Sequence, residues 1–291
     1  MKLTITGYST ALFSTWYFID ELALLFDCGD GVTAGLMQKA RKVSNVFISH
    51  ADRDHLTGLL QFNQLNARPG APVIHYPADS GSFPALAQFA GKFDPHVSGT
   101  VWVPVKAGDH VHIKDDYYVE CFRNNHVNAA PGVNKSLSYI VYQLKTKLKP
   151  EYAGMAGKEV KELIDKVGKE QLTEQLRTNI LAFSGDTPVH DIERWNNCKV
   201  LIHEATFLDT QEQGKNNRER NLHSNLEEVI EMASKLHIEK LVLGHFSSRY
   251  HPEQIDGRIK ELCVKYSIKI PVYRVLPGEV SRDVLAGIPV Y

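Results

Sequence analysis

The densest chemistry in the sequence lies in Ser49-His50-Ala51-Asp52-Arg53-Asp54-His55, where two imidazoles and two carboxylates fall within one short stretch. An apolar run, Val46 to Ile48, precedes it and a helix-like stretch, Leu56 to Asn66, follows. A turn between strand and helix can bring all four side chains to one point. Imidazole suits zinc, iron, copper or nickel and carboxylate suits harder ions such as manganese, so the mixed set fits a first-row divalent metal. A helix N-cap accounts for one aspartate in such a place, but not for two together with two histidines. Further candidates follow singly: His126 beyond Tyr117 to Phe122, Asp186 beyond Asn179 to Phe183, and His245 beyond Lys240 to Leu243. Each stands just past the carboxyl end of an expected strand, the edge at which open α/β sheets gather ligands. One histidine at a strand end is commonly a surface or hydrogen-bonded residue; the recurrence of such sites in order points to one centre.

Those positions presuppose a layered α/β scaffold. Strands are expected at Leu3–Thr6, Tyr17–Ile19, Leu22–Phe26, Val46–Ile48, Val73–Tyr76, Val101–Val105, Tyr117–Phe122, Leu137–Leu144, Asn179–Phe183, Val200–His203, Lys240–Leu243 and Val272–Val275. Helices fit at Val32–Arg41, Leu56–Asn66, Phe83–Lys92, Val189–Trp195, Leu226–Leu236 and Pro252–Tyr266. The stretch Lys145 to Thr178 breaks this rhythm. It is charged and helix-prone, with eight basic and six acidic residues up to Arg177, and Val160, Leu163, Ile164 and Val167 share one helical face. It reads as a helical insertion or arm on a single domain spanning 1–291: a solvated hairpin, a substrate arm or a dimer element.

Composition narrows the partners. With 33 basic against 34 acidic residues there is no global basic field, so nucleic-acid contact must rest on a local patch. Cys28, Cys121, Cys198 and Cys263 are widely spaced, which argues for reduced thiols rather than a disulfide framework or a zinc knuckle. No apolar run approaches the roughly 18 residues of a membrane span, and the first ten residues lack the apolar core of a signal peptide. A soluble cytoplasmic protein without a membrane partner is expected.

Phe26-Asp27-Cys28-Gly29-Asp30-Gly31, His50 to His55, His126, Ser184-Gly185-Asp186-Thr187, His203-Glu204-Ala205-Thr206-Phe207, His223-Ser224 and His245 to Tyr250 resemble, in order, the motifs of the metallo-β-lactamase superfamily. The stretches His203 to Phe207 and His245 to Tyr250 resemble its tRNase Z (ribonuclease Z) branch. The resemblance implies an α/β fold, a four-layer αβ/βα sandwich, and a homodimer. It implies two divalent metal ions, zinc or alternatively manganese. One would be held by His50, Asp52, His126 and Asp186, the other by Asp54, His55, Asp186 and His245, with Asp186 bridging. The implied activity is phosphodiester hydrolysis by a metal-bound hydroxide, in its tRNase Z form the endonucleolytic 3′ processing of precursor tRNA. Alternatives are a cyclic-nucleotide or small-molecule phosphodiesterase and a non-catalytic RNA-binding or scaffold protein with a degraded metal site.

By the same resemblance His223, oriented by Glu204, is the proton donor, the other reading of His223 being a surface residue at a helix start. Asp27 either orients a ligating imidazole or stabilises the turn at Gly29 and Gly31. Ser247 and Arg249 are placed to contact phosphate, or Arg249 forms a structural ion pair. Ser224 fits an N-cap with Glu227 completing a capping box. The chain departs from the pattern in three places: Asp52 stands where the core turn usually has its second histidine, Gly7 to Thr15 lacks a Pro-Thr-x-x-Arg element, and Lys145 to Thr178 lacks a Gly-Pro-rich pattern.

Overall fold

The structure, a computed structural model, describes residues 2–210 and 222–291; Met1 lies outside it. Two sheets carry the chain. The first runs in the order β1 (Ile5–Thr10), β2 (Ser14–Ile19), β3 (Leu24–Phe26), β4 (Asn45–Phe47), β5 (Val73–Pro77), β6 (Val101–Val105), antiparallel up to β3 and parallel from there. The second comprises β7 (His110–Lys114), β8 (Tyr117–Arg123), β9 (Leu137–Leu148), β10 (Thr173–Phe183), β11 (Val200–Glu204), β12 (Lys240–Gly244) and β13 (Val272–Arg274), antiparallel up to β10 and parallel beyond.

The period-two alternation of strands sorts their side chains into layers. Tyr17, Ile19, Phe26 and Phe47 from the first sheet meet Tyr139, Val141, Phe183, Ile202 and Val242 from the second in the central core. Trp16, Phe18, Leu25 and Val46 turn outward under helices 32–36, 59–66 and 82–93. Leu201, Leu241 and Leu243 turn outward under helices 226–234 and 252–265. Helix, sheet, sheet, helix is the four-layer sandwich expected. Near-continuous apolar runs mark β11 and β12 because both of their faces are buried.

Several local readings are corrected. The strand placed at Leu3–Thr6 is Ile5–Thr10. The helix expected over Val32–Arg41 stops at Leu36, where Met37 takes a positive φ of 53°, and continues as a 3₁₀ turn. Val189–Trp195 holds only a 3₁₀ turn, Ile192–Trp195, because Asp191 at φ 44° breaks any helix running from Pro188. The excursion is less helical than its sequence implies. β9 and β10 run on past the sandwich to Leu148 and from Thr173 as a largely exposed ribbon, tipped by the helix Gly157–Val167, which buries none of its residues.

Two cross-sheet bonds fix the His50 turn: Tyr139 Oη donates to the Ile48 carbonyl at 2.6 Å and the Leu137 N–H to the Ser49 carbonyl at 2.8 Å. The expected helix Leu56–Asn66 is interrupted at Gly58, whose N–H donates to Cys28 O at 2.9 Å. A Cβ there would run into the Gly29 carbonyl oxygen. Gly58→Ala is therefore expected to lose about 1–3 kcal/mol by overpacking, seen as a lower urea midpoint with an unchanged slope.

Candidate metal centre

The expected ligand residues do converge. His50, Asp52, Asp54 and His55 hang from the turn after β4, His126 from the loop after β8, Asp186 from the turn after β10, and His245 from the turn after β12. Gly185 lets the β10 turn approach: its φ is +57°, and a Cβ there would sit 2.7 Å from Ser49 Cβ. Ligating atoms within 4.8 Å of one another form the sets His50–Asp52–His126, His50–His55–Asp186 and Asp54–His55–His245. Asp186 Oδ2 stands between them, 3.7 Å from His50 Nε2, 3.2 Å from His55 Nε2 and 3.3 Å from His245 Nε2. Asp52 Oδ2 is 3.4 Å from His126 Nε2 and 3.6 Å from His50 Nε2, so the carboxylate in the place of a histidine reaches the cluster. Although Asp52 opens the helix 53–56, its side chain does not cap it.

Hydrogen bonds on the far side of each ring decide its tautomer. Ser49 Oγ donates to Asp27 Oδ2 at 2.9 Å, so it accepts from His50 Nδ1–H, also at 2.9 Å. Thr206 Oγ1 donates to Glu204 Oε2 at 2.6 Å and so accepts from His245 Nδ1–H at 2.9 Å. His55 Nδ1 bonds Asp27 Oδ2 at 2.7 Å and His126 Nδ1 the Leu222 carbonyl at 2.9 Å. Each of these rings, when neutral, turns an Nε2 lone pair inward, the arrangement that outer partners impose on metal-ligating histidines. His50 Nε2 and His55 Nε2 are buried without a hydrogen-bond partner. A divalent cation is the partner this donor set fits.

The electrostatics agree. Burial alone would raise the carboxyls of Asp54 and Asp186, yet both are held below the usual range, Asp54 by His55 and His245 and Asp186 by His245 and His55. His126 and then His50, close beside it, lower Asp52 likewise. Burial, with His55 and His126 alongside, keeps His50 from protonating. Burial opposes charge on His55 as well, but Asp186, Asp27 and Asp54 overcome it and raise the ring well above its ordinary value.

Beside the cluster, His223 Nδ1 lies 3.1 Å from Glu204 Oε1 and 3.8 Å from Asp186 Oδ2. Burial works against charging His223, but Glu204 and then Asp186 push it up to about 9. Glu204 is itself clamped by the Thr187 N–H at 2.8 Å and by Thr206. His223 is thus inside the pocket rather than on a helix-start surface, and the helix cap falls one residue later than expected, at Asn225 with Glu228, while Ser224 Oγ donates to the Thr187 carbonyl. Ser247 and Arg249 line the same pocket, with Arg249 Nε donating to Ser247 Oγ at 2.9 Å. Asp27 accepts from Ser49 N–H and Oγ and bonds His55, so its carboxylate serves the imidazole turn rather than Gly29 or Gly31. Sequence reasoning missed Ser49, Thr206 and the Leu222 carbonyl. Only adjacency to His50 and membership of the His203 to Phe207 stretch could have flagged the first two.

A beta-lactamase superfamily domain model matches residues 23–166. The chain is 30% identical to the chloroplastic tRNase Z of Arabidopsis thaliana, over 91% of this chain and 73% of that one. It is 30% identical to a ribonuclease Z of Methanococcus aeolicus, over 79% of this chain and 77% of the other. Among solved structures it shares the fold of the metallo-beta-lactamase fold protein YhfI from Bacillus subtilis, with TM-score 0.65 at 15% identity over 97% and 100% of the two chains. It shares that of the short form of human tRNase Z with TM-score 0.57 at 21% identity over 85% and 93%.

If hydroxyl relays set the ring tautomers, Thr206→Val, which keeps the shape and removes the hydroxyl, should weaken metal binding by about 10–100-fold. Thr206→Ser should restore it, and Asp186→Ala should lose more than Thr206→Val. Titration of zinc and manganese into chelated protein measures all three, and equal affinity in Thr206→Val and wild type would refute the relay.

Proposed function

This chain belongs to the tRNase Z family of the beta-lactamase superfamily, and from that premise we propose that it cleaves precursor tRNA endonucleolytically at its 3′ side, as a cytoplasmic homodimer. It is a metal-dependent hydrolase by family. The observation that carries the substrate reading is the Glu204–His223 pair beside the metal centre, because an RNA leaving oxygen is a strong base that must be protonated as it departs. The four cysteines, all unpaired and buried, suit a reducing compartment.

In this reading two ions, zinc or manganese, would be held by His50, Asp52, His126 and Asp186 and by Asp54, His55, Asp186 and His245. When bound, such ions supply Lewis-acid activation of a water and charge stabilisation for the phosphoryl oxygens. The chain's own groups do the rest. Asp186 holds the two ligand sets in register. Glu204 takes the Nδ1–H of His223 and fixes the ring, leaving Nε2 as the atom that delivers a proton. Glu204, and after it Asp186, favour the charged ring, the form that carries the proton to be delivered. Arg249, steadied by Ser247, supplies a cation to the substrate's phosphates.

His223→Ala is expected to lower turnover of a precursor tRNA with a 3′ trailer by about 10²–10⁴, with a smaller loss on a chromogenic diester whose leaving group needs no proton. Glu204→Gln removes the charge that raises His223. A general acid acts only below its pKa, so the alkaline limb of the pH–rate profile should move to lower pH in that variant. Equal losses on both substrates, with no shift of the limb, would assign the pair another role.

Asp52 makes the second test. It adds a charge and a hard oxygen to the set with His50 and His126, which favours manganese relative to zinc. Asp52→His should shift activity back toward zinc. Titrating each metal into chelated wild type and variant and following turnover checks this; identical metal preferences would make Asp52 a bystander.

A further inference from the structure

We propose that Leu12 and Phe13, at the tip of the turn joining β1 and β2, form an apolar wedge against which the nucleobase next to the scissile phosphate stacks, so that the enzyme takes its RNA as an unpaired strand; the inference rests on the RNA-processing reading above. Single exposed apolar residues need no explanation. Here two neighbours are 88% and 60% exposed, Leu12 at the mouth of the pocket that holds Asp54, Asp186 and His223, and Phe13 beside it on the adjoining groove. Leu12 also adopts φ 70°, a left-handed conformation that side chains other than Asn and Asp seldom take.

The turn is tied down on three sides. The Leu12 N–H donates to Asp54 Oδ2 at 3.0 Å, the Ala11 N–H to the Phe246 carbonyl at 3.2 Å and the Phe13 N–H to the Thr10 carbonyl at 3.1 Å. Its two apolar side chains are therefore displayed in fixed register with a side chain of the metal centre. Leu12 walls the catalytic cavity of about 270 Å³ alongside Asp54, Asp186, His223 and Arg249. Phe13 walls a neighbouring groove of about 510 Å³ with Tyr8, Trp16 and Arg282. The wedge is the divide between them.

Continuity with the catalytic cavity selects the occupant. A strand with its scissile phosphate at the cluster and its next nucleotide in the adjoining groove would cross this divide, where a nucleobase offers the flat apolar face that Leu12 and Phe13 can cover. The groove beyond supplies an aromatic side chain in Tyr8 and a cation in Arg282 for the following phosphate. Stacking of this kind is tolerant of sequence but needs the base free of a duplex. The wedge thus selects a single-stranded junction rather than a base identity.

The test compares cleavage of precursor tRNA carrying an ordinary or an abasic nucleotide at each position flanking the cleaved bond. Wild type should prefer the base-bearing substrate by roughly tenfold in kcat/KM at one of the two positions, the scale of one stacking contact. In Leu12→Gly/Phe13→Ser that ratio should fall to near one, and Phe13→Tyr, which keeps the ring, should retain it. Because each ratio is taken within one protein, a reduced folded fraction cancels, and glycine relieves the strain at position 12. A ratio near one in wild type, or an unchanged ratio in the double variant, overturns the wedge while leaving RNA processing intact. Failure of wild type to cleave any precursor overturns both.

Discussion

Everything at the catalytic edge hangs on the buried carboxylate of Asp27. It is fully buried and sits at φ 53°, a conformation costly for a residue with a Cβ. A carboxylate so placed is tolerated only when its oxygens are satisfied. Ser49 N–H at 2.7 Å, Ser49 Oγ and His55 Nδ1 satisfy it. The same three bonds lock the turn that carries His50, Asp52, Asp54 and His55. The cost of burying Asp27 and the rigidity of the ligand turn are one fact seen from two sides.

Glu204 repeats this device in the second sheet. It is buried, held by backbone and hydroxyl donors, and sets the orientation of His245 through Thr206 and of His223 directly. Two carboxylates that themselves stand outside the ligand sets thus impose the geometry of imidazoles around both halves of the centre. Such a cluster, crowded with acids and imidazoles, is not a stability device, because buried charges seldom repay their desolvation. The core between the sheets, with Phe26 and Phe183 stacked at 4.9 Å, lies behind the cluster and holds the two halves together independently.

The positions of the converging histidines and aspartates were legible because they obey a rule of topology. Parallel strands deliver their following turns to one edge, so a histidine or aspartate just beyond an apolar run announces where it will stand. The parts that were not legible are governed by contacts distant in sequence. Ser49 meets Asp27 across 22 residues and Thr206 meets His245 across 39, and nothing in the spacing of a serine or threonine reports which carboxylate it will find. β7 escaped notice because its five residues alternate between exposed and half-buried at a sheet edge and include two histidines. The ribbon beyond β9 and β10 was hidden by helix-favouring Lys and Glu, whose local preference is overruled by the pairing of Thr173 with Leu148 through Arg177 with Leu144.

The clamping of β1 against the end of the chain has a kinetic meaning. Gly7 pairs with Ser281, the Gly278 N–H donates to Thr10 Oγ1, and Ser9 Oγ receives the His245 N–H. The last two contacts join residues 268 and 236 positions apart, and such closures are among the slowest a chain makes because loop entropy must be overcome before they return any energy. A nascent chain emerging in order holds Asp27 and the whole His50 to His55 turn long before His245 exists. The full set of converging side chains therefore exists only once the turn after β12 has been made and its His245 N–H has met Ser9 on β1.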